Sequence, residues 1–301
     1  MTDEAFARPV LPSQVWQAAR EQHRSRAHGL LASVQRRRSR GEKHPVEDFL
    51  FEYYNLRPGQ LEAWHPGVGV VLDDPDGAFE GVKFYVHEAA HSQVDVEGFI
   101  ARRAGTLEWT RKLLRGTASR PAQLGCFGMH EWAMVYHLRP DQTRHPYLGL
   151  RLSPQEVASA VESVGLRCSH FDAFRFFTDD AVPLNLSAPT REAQPELDQP
   201  GCLHANMDLY GKIACKLVPL YSSELVLDAF MLARDIRELD MRASPYDLAD
   251  WGYGPVEVET PGGRAEYVRQ QRGFAERGAV IRQQLLDVLD SLGRDRGRGG
   301  A

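Results

Sequence analysis

Apolar residues at Val15, Trp16, Ala19, Ala27, Leu30, Leu31 and Val34, with His23 among them, fall three or four apart. That spacing predicts a helix over residues 13–38, with Ser13 as its cap. In HPVEDFLFEYY, Pro45 suits a first helical position, and a short helix is predicted there. The chain then turns through NLRPGQ and WHPGVG. From Val68 to Val86, β-type residues alternate around DDPDG, the pattern of a hairpin. Residues 95–116 read as helix again. GMHEWAMVYHLRP reads as a buried strand, and SPQEVASAVESVG as a helix framed by Ser153, Pro154 and Gly165. LRCSHFDAFRFFT reads as a further strand, which would set His170, Asp172 and Phe174 on one side. Strand, helix and strand in that order suggest a small αβ unit.

Residues 179–202 are rich in proline and acid and predict a long irregular connection, the one weak candidate for a domain boundary. Beyond it, Leu225, Ala229, Leu232, Ile236 and Leu239 line one helical face. Phe274, Ile281, Leu285, Val288 and Leu292 line another over residues 264–292. The expected fold is a single α-rich α+β domain spanning 1–292, with a small sheet, long C-terminal helices and a disordered tail at 293–301.

Composition removes several classes. The chain has 301 residues, 43% hydrophobic and 26% charged, so disorder is not its theme. No apolar run is long enough for a membrane span, and the start MTDEAFARPVLPSQ has no export pattern, so the expectation is a cytoplasmic protein without a membrane partner. The cysteines Cys126, Cys168, Cys202 and Cys215 form no CxxC pair and read as reduced thiols. Net charge is -5, but residues 20–43 hold seven Arg and one Lys against two Glu, and 102–120 hold five Arg and one Lys against one Glu. Two basic stretches on an acidic body suit an anionic polymer; the alternative is helix faces paired with nearby carboxylates.

HEAAH at 87–91 matches the HExxH zinc pattern letter for letter. That pattern needs the middle of a long helix, whereas EGVKFYV before it alternates like a strand. No third histidine follows at a suitable spacing, and the segment reads as a surface helix start with two ordinary histidines. More informative are four histidines within four residues of a carboxylate: His44 with Asp48, His130 beside Glu131, His170 with Asp172, and His204 with Asp208, the last alongside Asn206. Their neighbours look buried, and burial of ionisable groups is how an active site tunes an acid or base. Each alone also fits a structural role, as a helix-entry residue or half of an ion pair with Arg57, Arg175 or Arg191.

The blocks HPVEDFLFEYYNLRPGQLEAWHPG, GCFGMHEWAMVYH, CSHFDAFRFFTDDAVPLN, QPGCLHANMDLYGKIACKLVP and LDMRASPYDL resemble a bacterial family described as 3-methyladenine DNA glycosylase, from about residue 14 to residue 280. The resemblance implies hydrolysis of the bond between sugar and damaged base, with the base extruded and stacked on aromatic side chains. Matching parts are Trp64, Trp132, Tyr136, Phe171, Phe174 and Tyr210 for stacking, Glu131, Asp172 and Asp208 as carboxylates, and the basic stretch with Arg36, Arg37 and Arg38 for phosphates. The chain departs from other glycosylases in lacking a helix-hairpin-helix loop, a cysteine set for an iron-sulfur cluster and an evident Schiff-base lysine.

The first functional expectation is therefore a cofactor-free, monofunctional N-glycosylase-type hydrolase acting on DNA or a nucleoside. Asp172 or Glu131 would stand beside the sugar, His170 or His204 would move protons, and Asp208 would support them. A second is a zinc or iron enzyme drawing ligands from His44, His130, His170, His204, Asp172 and Asp208. A third is a non-catalytic nucleic-acid-binding protein.

Overall fold

The structure, a computed structural model, describes residues 10–139, 142, 143, 145 and 147–294, the side chains of 293 and 294 excepted. It opens with a two-residue strand, β1 (Val10–Leu11), and the long helix α1 (Ser13–Ser39). Trp16, His23, Ala27, Leu31 and Val34 form its buried stripe, as the spacing predicts. Ser13 does not cap it. The carbonyl of Pro12 takes the first N–H groups, and the Ser13 hydroxyl donates instead to the carboxylate of Asp73.

HPVED is a set of turns, and only Phe49–Tyr53 is helical (α2). The expected Val68–Val86 hairpin is also rearranged. Strands β2 (Val71–Asp73), β3 (Tyr85–Glu88) and β4 (His91–Val94) join β1 in the order β1-β2-β4-β3, with only β1-β2 parallel. The tight hairpin is β3-β4, across Ala89 and Ala90, both left-handed. DDPDG is instead a loop in which buried Asp74 accepts from the backbone of Ala78 and Phe79. HEAAH is therefore that hairpin and not a helix start: His87 faces Ser92, Glu88 faces His91, and the helical spacing of the zinc pattern does not exist.

Helix α3 (Val96–Ala118) follows as expected. The two strands predicted around residues 130 and 172 are short helices instead, α4 (Met129–Ala133) and α6 (Phe171–Phe174), so no αβ unit forms. Between them, α5 (Pro154–Val164) has Ser153 and Glu156 as a reciprocal capping box and ends at Gly165. His170 sits at the cap of α6, its carbonyl accepting from Ala173 and Phe174.

The 179–202 connection is no boundary. Its end is a helix, α7 (Gln194–Leu197), pressed on α3 so closely that a Cβ on Gly116 would lie 2.2 Å from the Pro195 carbonyl. Helix α8 (Leu203–Asp208) passes directly into a π-helical turn at Leu209–Ala214. Helix α9 (Ser223–Arg242) buries the predicted stripe, and α10 (Pro261–Arg294) runs two residues beyond the expected start of the tail. The rest of that tail, 295–301, lies outside the described residues. Helix α9 packs between α8 and α10. Burying Leu232 or Ile236 completely on it contributes about 1.5–3 kcal/mol each.

One core cluster runs from Ala27 to Leu292, and a second, smaller cluster joins Trp16, Trp64, Leu72 and Phe79 where the sheet meets α1. The fold is a helix-rich α+β domain with a four-stranded mixed sheet. No described helix is long and apolar enough to cross a membrane.

Candidate functional site

Three of the four histidine motifs meet. His204 on α8 is T-shaped against His130 of α4, ring centroids 4.4 Å apart, and stacks on His170 at 5.2 Å. His44 does not join them. Its Nδ1 accepts from the backbone of Val46 and Glu47, its ring packs on Trp251 and Tyr253, and Asp48 accepts from the His44 N–H. That pair holds a turn.

At one end of the histidine row, His130 Nε2 lies 2.8 Å from Asp240 of α9. Arg237, one turn earlier, donates to Asp240 at 2.8 Å and to Glu131 at 2.9 Å, with its guanidinium 3.8 Å from the centre of the Phe49 ring. Glu131 is thus committed to a buried ion pair. Burial works against the charge on His130, but Asp240 outweighs it and raises the pKa. In His204, burial and the charge of His130 outweigh Asp240 and Asp208 and hold its pKa well below the usual value.

At the other end, His170 Nε2 lies 3.0 Å from Asp208. Asp208 also accepts from Tyr54 at 2.8 Å and pairs with Lys212 at 2.7 Å, one turn along the same helical run. Burial would raise the Asp208 pKa, yet the charge of Lys212 and the bond to His170 bring it well below the ordinary range. Lys212 bridges onward to Asp172, which also meets Arg191 at 2.9 Å and Arg175 at 3.0 Å. Burial disfavours the Asp172 charge; Lys212 first, then Arg191, overcomes that and keeps the carboxyl ionised. In Lys212 itself, burial is outweighed by Asp208, Tyr53 and Asp172, so the ammonium is held charged.

Asp172 marks where this chain of buried charge reaches a surface cleft of about 400 Å³. Tyr53, Tyr54 and Trp109 supply its aromatic wall, and Arg175, Arg191, Lys212 and Lys216 its cations. The Tyr53 hydroxyl has no hydrogen-bond partner among the described residues, and burial pushes its pKa up to about 12, so it stays a neutral donor. Gly211, in the π-helical turn, lets the Tyr54 ring lie against the helix backbone; such turns recur at functional sites.

The remaining candidates lie elsewhere. Trp132 is fully buried and donates to the Ala243 carbonyl, while Tyr136 donates to Glu162. Asn206 donates to the Pro200 and Cys202 carbonyls and accepts from Arg282. Tyr210 lines a separate, mostly apolar pocket of about 220 Å³ with Cys215, Trp64 belongs to the smaller core, and Phe174 packs on Phe177. Phe171 lies beside the cleft, with Arg191 over its ring at 4.9 Å, and Tyr210 packs edge-on against the cleft residue Tyr54.

The basic stretches are largely spent within the fold. Arg37 pairs with Glu47 and Asp48, Arg26 with Glu224, and Arg38 lies over Phe51. Arg111 and Arg115 meet Asp290, and Lys112 meets Glu196. Arg36 stays exposed on α1.

Residues that sequence reasoning missed carried readable signals. Lys212 lies one helical turn from Asp208, and Asp240 continues the apolar stripe through Ala229 and Ile236, an unusual place for a carboxylate. No family model, curated protein sequence or solved structure matches this chain.

Proposed function

We propose that the chain is a monofunctional N-glycosylase-type hydrolase that takes an alkylated base of DNA, or a related nucleoside, into the Tyr53–Tyr54–Trp109 cleft. The observation that carries this reading is the ionised Asp172 carboxylate at the floor of an aromatic, cationic cleft. A flipped base stacks on the aromatic wall and its phosphates take Arg175 and Arg191. Both arginines sit on Oδ1 of Asp172, so phosphate binding draws them away and frees that oxygen to face the sugar. The carboxylate then stabilises the positive charge that develops as the bond from C1′ to nitrogen breaks, and water attacks C1′, giving up its proton to the freed Asp172 oxygen.

No histidine among the described residues lines the cleft, and an alkylated base needs none. It already carries positive charge and departs neutral without an added proton. Lys212, held as an ammonium, does not attack C1′ as an amine, so strand cleavage through a Schiff base is not expected. Asp208, held by His170 and Tyr54, stands behind the cleft and positions Lys212 and through it Asp172, while His204 and Glu131 lie further back in the core.

The test is release of methylated base from alkylated DNA by the full-length chain. Asp172→Asn should lower that rate by about a hundredfold or more while the melting transition stays cooperative. A wild-type chain that releases no base, or an Asp172→Asn variant as active as wild type, refutes the reading.

A further inference from the structure

We propose that His130, His204 and Asp240 form a binding site for a divalent first-row metal ion, separate from the cleft. One donor atom from each lies within 4.8 Å of the other two, and all three residues are buried. His130 Nε2 and Asp240 Oδ1 touch at 2.8 Å, yet neither has a partner at hydrogen-bonding angles. The two atoms face one another as an ion pair without hydrogen-bond alignment, and a cation shared between them supplies each with a directed partner. The His204 ring likewise makes no side-chain hydrogen bond among the described residues; it only packs against the other two histidines.

The surroundings have the form of an outer ligand shell. Arg237 donates to the far oxygen of Asp240, which fixes the orientation of the near one. His130 and His204 also line a small pocket of about 20 Å³, with Cys126, Cys168 and Cys202 on its walls. That is room for a single water, the further ligand an ion with three protein donors requires. Two imidazoles and a carboxylate suit iron(II), cobalt(II) or zinc(II) over magnesium or calcium. The 2.8 Å spacing narrows the geometry. With bonds of about 2.1 Å, donors on a tetrahedral ion stand about 3.4 Å apart, whereas 2.8 Å corresponds to an angle near 90°. Three protein donors and one water make four ligands, and the close His130–Asp240 pair makes their arrangement a distorted one.

The test uses full-length protein stripped with chelator and then titrated with cobalt(II), and anaerobically with iron(II). Saturable uptake of a single equivalent is expected, with the stronger visible absorption of four-coordinate cobalt. His204→Ala and Asp240→Asn should each weaken uptake by about 10- to 100-fold. Since His204 has no hydrogen bond to lose, its variant should melt cooperatively and carries the test if Asp240→Asn fails to fold. Absence of saturable uptake by the wild type, or uptake by His204→Ala equal to wild type, overturns the site. The weak absorption of six-coordinate cobalt overturns the coordination number assigned to it. None of these outcomes depends on base release at the cleft.

Discussion

The ring of Tyr54 rests directly on the Cα of Gly211: a Cβ built there would lie 2.1 Å from Cγ of the ring. The same tyrosine reaches past that contact to donate to Asp208 at 2.8 Å, so one glycine sets both an aromatic wall and a buried carboxylate. Gly211→Ala should push the ring out and strand the Asp208 oxygen, costing roughly 2–4 kcal/mol in urea unfolding and most of the base-release rate. A variant of wild-type stability and activity would show that the close approach is incidental.

The Asp208–Lys212 pair sets a window of pH stability. In the unfolded chain these groups return to about 3.9 and 10.4. The folded Asp208 value is depressed, so its contribution is complete above about pH 5 and is lost as pH falls toward the folded value. The folded Lys212 value is raised, so its contribution is complete below about pH 9 and is lost as pH rises through that value. Unfolding free energy should therefore be level between those limits and fall outside them, with Asp208→Asn flattening the acid side. An acid side as steep in Asp208→Asn as in wild type would contradict this.

Asn206 should prove a bracket for the fold. It ties two carbonyls at the start of α8 to Arg282, whose pKa burial pushes down to about 10. Asn206→Ala leaves a buried guanidinium and two carbonyls short of partners, which should cost about 2–4 kcal/mol in thermal or urea melts. With saturating substrate and below the melting transition, kcat should remain near wild type.

Salt dependence distinguishes the cleft from the long basic helix. Arg175→Ala and Arg191→Ala should each weaken binding of alkylated DNA and lower the slope of log affinity against log salt by about one. Arg36→Ala should leave the slope unchanged, and Arg37→Ala should destabilise the fold by removing the partner of Glu47 and Asp48. Equal slopes for the cleft and α1 variants would move the phosphate contacts away from the cleft.

What the sequence disclosed follows the length of each pattern. Helices α1, α9 and α10 repeat their apolar positions over many turns, so the period of 3.6 stands out and the buried stripes are legible. Met129–Ala133 is buried on every side, and Phe171–Phe174 is a single turn. Neither has an exposed face of sufficient length to mark the period, so both read as strands. The meeting of His130, His170 and His204 was foreshadowed by their polar companions. Asp240 is not, because it sits among the apolar positions of the α9 stripe, where the periodicity marks only a core-facing face. Tyr53, Tyr54 and Trp109 were unremarkable as letters, since only the folding of α2 and α3 around the π-helical turn makes them a wall.

The smaller core has an optical consequence. Trp16 and Trp64 lie nearly parallel with centroids 6.2 Å apart, while Trp132 is sealed in the larger core. Indoles that close couple their excited states, so the near-ultraviolet circular dichroism of the chain carries a signature of the sheet meeting α1. Tracking that signature during denaturation beside the far-ultraviolet signal of the helices would show whether the corner loosens ahead of the helical body or together with it.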